Sequence, residues 1–157
     1  MKLSKISILF SVLFVNIGSI SFAQNPAITK VAKFKPPIVE SYLGKNTNGA
    51  TVTADEASQL IALSLKITDD KKNIYTIDSY HFLYKKKGVI QDEETGRKST
   101  TFTTVADLFK TTPLPAVWIN NLKDGFQKDE ELYFFDIVVI DGKNTKFFAP
   151  DLKITIQ

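Results

Sequence analysis

The sequence predicts a mainly-β sandwich carrying two short helices, and three observations support that expectation. Short apolar runs recur along the chain with Gly, Asn, Asp and Pro between them, the pattern of short strands joined by turns. The run from Leu132 to Ile140 is apolar on both parities, which places it at the centre of a sheet. No stretch alternates strands with long amphipathic helices in the way a parallel α/β sheet requires.

Residues 1–23 read as a secretory leader. Lys2 and Lys5 give a positive start, Ile6 to Ile20 is apolar apart from its serines, Asn16 and Gly18, and Ser21-Phe22-Ala23 places small residues where a signal peptidase reads. The run falls short of the ~20 apolar residues of a membrane span, so cleavage after Ala23 is expected, with delivery to the periplasm or beyond. Two of the 20 basic side chains leave with the leader and no acid does, so 18 basic residues face 17 acidic ones in the remainder. This balance removes the nucleic-acid reading that a basic precursor would invite. The chain has no cysteine and a single histidine, His81, which excludes a lipidated cysteine, disulfides, thiolate metal centres and multi-histidine zinc sites. The 134 residues that remain suit one domain.

Residues 24–37 read as an approach arm kept extended by Pro36-Pro37, and 38–157 as the domain. Ile38–Leu43 is the first strand, closed by Gly44 and the turn signal Asn46-Thr47-Asn48-Gly49. Thr53, with Glu56 three residues on, forms a capping box for a helix to about Leu60, and Ile61–Ile67 alternates as a strand before the polar turn Thr68–Asn73. Within Ile74–Tyr84, Tyr75 and Ile77 share one parity, whereas Tyr80, Phe82 and Tyr84 share the other. One extra residue near Asp78-Ser79 brings both sets to the same face, so a β-bulge is expected there.

The charged segment Lys85–Lys98 reads as a loop or hairpin tip with Gly88 and Gly96 as its turn residues. Thr103 or Thr104 then caps a second helix over Val105–Phe109, which must stop before Pro113. Ala116–Ile119 is a short apolar stretch with the only Trp, followed by a turn over Asn120–Lys128. After the central strand, Asp141-Gly142 is a hairpin turn signal, with a longer loop through Asn144 as the alternative; Thr145–Phe148 returns, and Leu152, Ile154 and Ile156 alternate as a half-buried last strand.

The second half also carries a familiar order of motifs. Ile77-Asp78-Ser79-Tyr80-His81-Phe82 is followed by Ser99-Thr100-Thr101-Phe102-Thr103-Thr104, Leu122-Lys123-Asp124-Gly125, Tyr133-Phe134-Phe135-Asp136-Ile137, Asp141-Gly142-Lys143 and Pro150-Asp151-Leu152-Lys153-Ile154. Upstream stand Pro37-Ile38-Val39 and Gly49-Ala50-Thr51-Val52. This order resembles the C-terminal domain of the gliding-motility protein M family (GldM) of the type IX secretion system, over roughly residues 36–157. The resemblance implies an immunoglobulin-like antiparallel β-sandwich serving as a periplasmic protein–protein module, and it supplies no catalytic residues. The chain shows neither the family's N-terminal transmembrane anchor nor its long helical region, so an accessory or adaptor role is what the resemblance implies.

No catalytic, cofactor or metal residue is nominated. Asp78, Ser79 and His81 are triad residue types, but neighbours on a strand alternate faces and nothing orients the histidine. The acidic runs Asp129-Glu130-Glu131, Asp92-Glu93-Glu94 and Asp69-Asp70 lack the ligand spacing of a calcium loop and read as solvated turns. Lys85, Lys86 and Lys87 are expected to pair across their hairpin with Asp92–Glu94, with an anion- or membrane-recognition patch as the minor alternative. Asp136 stands oddly inside an apolar strand, facing an edge or accepting backbone or Tyr hydrogen bonds, and Trp118 and Phe126 are core or partner anchors. The expected function is a non-enzymatic, exported interaction module with an envelope protein as partner, binding through a sheet edge and exposed aromatics. The alternative is a small-ligand or carbohydrate-binding sandwich with a concave pocket lined by Tyr and Trp.

Overall fold

The computed structural model describes residues 34–157; the expected leader and most of the expected approach arm lie outside the described residues. Eight strands and two helices follow in the order β1 (Val39–Leu43), β2 (Ala50–Val52), α1 (Ala54–Leu60), β3 (Leu65–Asp69), β4 (Ile74–Gln91), β5 (Lys98–Phe109), α2 (Ala116–Leu122), β6 (Glu131–Ile140), β7 (Lys146–Phe148) and β8 (Leu152–Ile156). The strands make one curled sheet in the order β1-β3-β4-β6-β8-β2, with β5 on β4 and β7 on β6. The expected mainly-β, sandwich-like fold with two short helices is therefore present. The pairing is not wholly antiparallel: β2 runs parallel to β8, Val52 opposite Ile156. About a hundred residues separate the two strands, ample for the crossover a parallel pair needs.

β4 is the hub, paired with β3 at its start, β6 along its middle and β5 along its second half. Tyr80, Phe82 and Tyr84 point into the core against Leu132, Phe134, Ile137 and Val139 of β6. Leu152, Ile154 and Ile156 of β8 and Val39, Leu43, Leu65 and Ile67 of β1 and β3 complete the buried set. Phe134 stands 4.9 Å from Phe82 and 5.8 Å from Tyr80, ring centre to ring centre, inside the 4.5–7 Å spacing favoured by aromatic pairs.

The β4–β6 register shifts between Ile77, Ser79 and His81, so the expected bulge at Asp78-Ser79 is present. A second irregularity was not anticipated. Asp136 adopts φ +49°, and from Phe135 (opposite His81) to Val138 (opposite Ser79) β6 uses one residue more than β4. The buried parity of β6 therefore switches from Leu132 and Phe134 to Ile137 and Val139. Asp136 is the residue set outside the ladder, which explains a carboxylate in an apolar strand: it is exposed, and needs no buried partner.

Three expected elements are corrected. Ile61 belongs to the end of α1, its N–H bonded to the Ala57 carbonyl at 3.0 Å, so β3 starts at Leu65 instead of Ile61. The strand expected to end at Tyr84 continues to Gln91, through Lys85–Lys87 and Gly88. The true tip is shorter: the Asp92 carboxylate accepts from the Glu94 and Thr95 backbone N–H groups, and Gly96 takes φ +69°. The helix expected over Val105–Phe109 is strand β5, paired residue for residue with β4. Its threonines and valine are stiff at χ1 and favour a pleated strand, and a ready partner outweighs the local cap signal. The second helix is instead α2, where the sequence shows an apolar stretch and the beginning of the expected Asn120–Lys128 turn.

At α1 the capping box is realised, with the Thr53 hydroxyl accepting from Glu56 N–H and the Glu56 carboxylate from Thr53 N–H. Those bonds hold the Glu56 carboxyl below its ordinary range, the Thr53 backbone bond first among them.

Two buried phenols make the fold sensitive to alkali. Burial raises Tyr80 to about 12, and burial together with the bond to Glu130 pushes Tyr84 well above the ordinary tyrosine value. Both are raised in the folded state, so the unfolded chain loses these protons first. Stability from them is full below about pH 10, the free tyrosine value, and drains as pH rises through the folded values. Urea midpoints measured at pH 8, 10 and 11.5 are expected to hold between the first two and drop at the third. Tyr80→Phe should lessen that drop.

Candidate functional site

β5 is a long edge strand. It pairs with β4 alone, and from Lys98 to Leu108 every residue but Thr101 is exposed. The direction of its free backbone groups follows from two independent bonds. Lys87 N–H of β4 donates to the Glu130 carboxylate on the β6 side, 2.9 Å away. Alternation along β4 then turns Phe82, Tyr84 and Lys86 toward β5, where they stand opposite Asp107, Val105 and Thr103. Those three bond inward, so Phe102, Thr104, Ala106 and Leu108 present N–H and C=O outward. The Leu108 N–H agrees, donating to the Asp107 carboxylate at 2.8 Å. One end of the edge is thus self-capped, while Phe102 to Ala106 remains open to another strand.

α2 lies beside this edge. Trp118 packs edge-on against Phe82 and Phe109, at 5.7 and 5.4 Å between ring centres. Tyr84, Val105, Val117, Trp118 and Leu122, with Lys86 and Asn121 at the rim, enclose a slot of about 290 Å³. Trp118 is half-buried and Phe126 is buried edge-on against Tyr84 at 5.7 Å, so Phe126 serves the core and Trp118 serves both core and slot. A wider hollow of about 520 Å³ lies between α1 and Lys123–Phe126, bordered by Asp55, Ser58, Gln59 and Asp124.

The lysine triplet is split by the strand. Lys85 bonds Glu131 at 3.1 Å and Lys87 bonds Asp129 at 2.8 Å, so the carboxylates come from the start of β6 and not from Asp92–Glu94, as expected. Lys153 adds a second bond to Glu131 at 2.9 Å, and these contacts hold the Glu131 carboxyl below its usual range, Lys153 first. Lys86, on the opposite face, has no ion-pair partner among the described residues.

Glu130 is the largest departure from expectation. Expected in a solvated turn, it is fully buried, and it accepts from Tyr84 O–H, Lys87 N–H and Gln127 N–H. Sequence offers one faint signal, an acid preceding a strand whose partner carries a buried Tyr. The run Asp92–Glu94 does lie at the hairpin turn, and Asp69-Asp70 spans the end of β3 and the start of its turn, with Asp69 bonded to Lys71 N–H, Asn73 and Tyr75.

The triad residue types separate. Asp78 pairs with Lys146 at 2.7 Å, His81 lies 3.6 Å from Asp136, and no hydrogen bond joins Ser79 to His81 among the described residues. His81 stacks on Phe135 at 5.1 Å, and Phe135 on Tyr133 at 5.0 Å, forming a half-exposed row on the outer face of β4 and β6. Among the described residues no three His, Asp or Glu side chains converge on a metal position, and no helix is long and apolar enough to cross a membrane. No family model and no curated protein matches the chain.

Proposed function

We propose that this chain is an exported, non-enzymatic interaction module that binds a cell-envelope protein by adding a partner strand to the open edge of β5. The resemblance of its motifs to the secretion-motor domain favours an accessory or adaptor place in such machinery. The observation that carries the reading is β5 itself: a twelve-residue edge strand, exposed at ten of its positions, with outward donors and acceptors that neither proline nor a bulge interrupts. Exposed edges of that length are normally blunted or covered, and strand addition is a general way to use one.

The alternative, a small-ligand site, has the Trp118 slot in its favour, since Tyr84 and Trp118 both line it. At about 290 Å³ it sits at the lower bound of ordinary small-molecule pockets, roughly 300–1,000 Å³, and it adjoins the strand edge.

The test is affinity purification of the tagged chain from its native envelope beside Thr104→Pro. That proline removes an outward donor and leaves the ladder to β4 intact. Proteins retained by the native chain are expected to be lost from the variant at unchanged thermal midpoint; equal recovery would rule out docking through this edge.

A further inference from the structure

We propose that the Trp118 slot reads one side chain of the docked strand, and that the partner segment has the pattern basic-x-apolar-x-acidic, laid antiparallel on β5. The inference rests on the reading of β5 as a docking edge and specifies the chemistry of what docks. On the α2 side of the sheet β5 presents Asp107, Val105 and Thr103 in succession, and Lys86 stands behind Thr103. Val105 is half exposed at the mouth of the slot, and Val117 on the opposite wall is 62% exposed. A strand added beside β5 places every second side chain on this face. The residue opposite Val105 drops into an apolar recess walled by Val117, Trp118 and Leu122, where a Leu, Ile or Val is the natural fill.

The neighbours two positions away are set by charge. Asp107 and Lys86 have no ion-pair partner among the described residues, although Lys85 and Lys87 on the other face are both paired. A cation opposite Asp107 forms a cross-strand pair. A carboxylate opposite Thr103 lies one strand beyond Lys86, within reach of its long side chain. An antiparallel segment meets Asp107 first, which fixes the order as basic, apolar, acidic; the reversed order places like charges together at both ends.

The only Trp in the chain lines the slot, so its fluorescence reports occupancy directly. The probe is the acetylated, amidated heptapeptide Thr-Lys-Thr-Leu-Thr-Glu-Thr, titrated into the folded chain, with amide hydrogen exchange followed in parallel. A saturable Trp118 response is expected, weakened about tenfold when the probe's Leu is replaced by Ser, the scale of losing one buried aliphatic side chain. The charge-reversed peptide Thr-Glu-Thr-Leu-Thr-Lys-Thr should bind about threefold more weakly, the scale of exposed ion pairs, and Lys86→Gln should shrink that difference. An absent Trp118 response, or an equal response to the Ser peptide, overturns the inference. Protection of the Phe102–Ala106 amides without any Trp118 response also overturns it, while leaving β5 docking intact. Saturation by N-acetylleucine as tight as by the heptapeptide overturns the peptide assignment and makes the slot a small-molecule site.

Discussion

Phe134→Ala is expected to cost about 3–5 kcal/mol, the range for truncating a buried aromatic ring. Phe134 is 2% exposed, lies at the crossing of β4, β6 and β8, and touches both Tyr80 and Phe82. Its ring fills the centre of a layer whose neighbours are held by strand pairing on both sides, so the cavity has little means to collapse. Domains of this size are stable by about 5–15 kcal/mol, and the loss is a large part of that. Thermal unfolding followed by circular dichroism should show a midpoint lower by roughly 10 °C or more. Val89→Ala, at a position 65% exposed, is the comparison and should move stability by no more than about 0.5 kcal/mol.

Glu130→Ala is the second large effect, with an expected loss of about 3 kcal/mol or more. The substitution leaves three donors, the buried Tyr84 O–H and the part-buried Lys87 and Gln127 N–H groups, without their acceptor, and a buried unpaired group costs about 1–3 kcal/mol. Glu130→Gln keeps one acceptor oxygen and should fall between the native chain and Ala. The damage has a location as well as a size. Lys87 lies where β4 outruns β6, so Glu130 holds the base of the β4–β5 hairpin against the segment leading into β6. Amide exchange at Lys87 and Gln127 should accelerate before the core opens. Unchanged stability in Glu130→Ala would mean that water fills the site and replaces the carboxylate.

Most of the architecture was legible because it rests on local signals. The capping box at Thr53, the turn from Asp141 through Asn144 and the alternation of Leu152, Ile154 and Ile156 each specify their element from a few adjacent residues. The bulge at Asp78-Ser79 was legible too, since two aromatic and aliphatic sets of opposite parity must share one core. What was missed depends on partners distant in sequence. Thr103-Thr104 before Val105 looks like a helix start until β4 offers twelve paired residues. Lys85–Lys87 look like a loop until Asp129 and Glu131 arrive from the start of β6. Glu130 looks solvated until Tyr84 closes over it. The β5 edge was expected only as an unspecified strand edge, because its own segment read as a tip and a helix. The Trp118 slot needed α2 placed beside β5, which no spacing in the sequence conveys.

The most direct test of β5 as the docking edge is site-specific photo-crosslinking in intact cells. A photoreactive side chain is placed at Thr104 on the open edge, and in a second chain at Asn144, an exposed turn position between β6 and β7. A discrete protein adduct from position 104, absent from position 144 and abolished when Ala106→Pro is added, is the predicted result. Adducts from both positions alike, or none from position 104, would contradict the account.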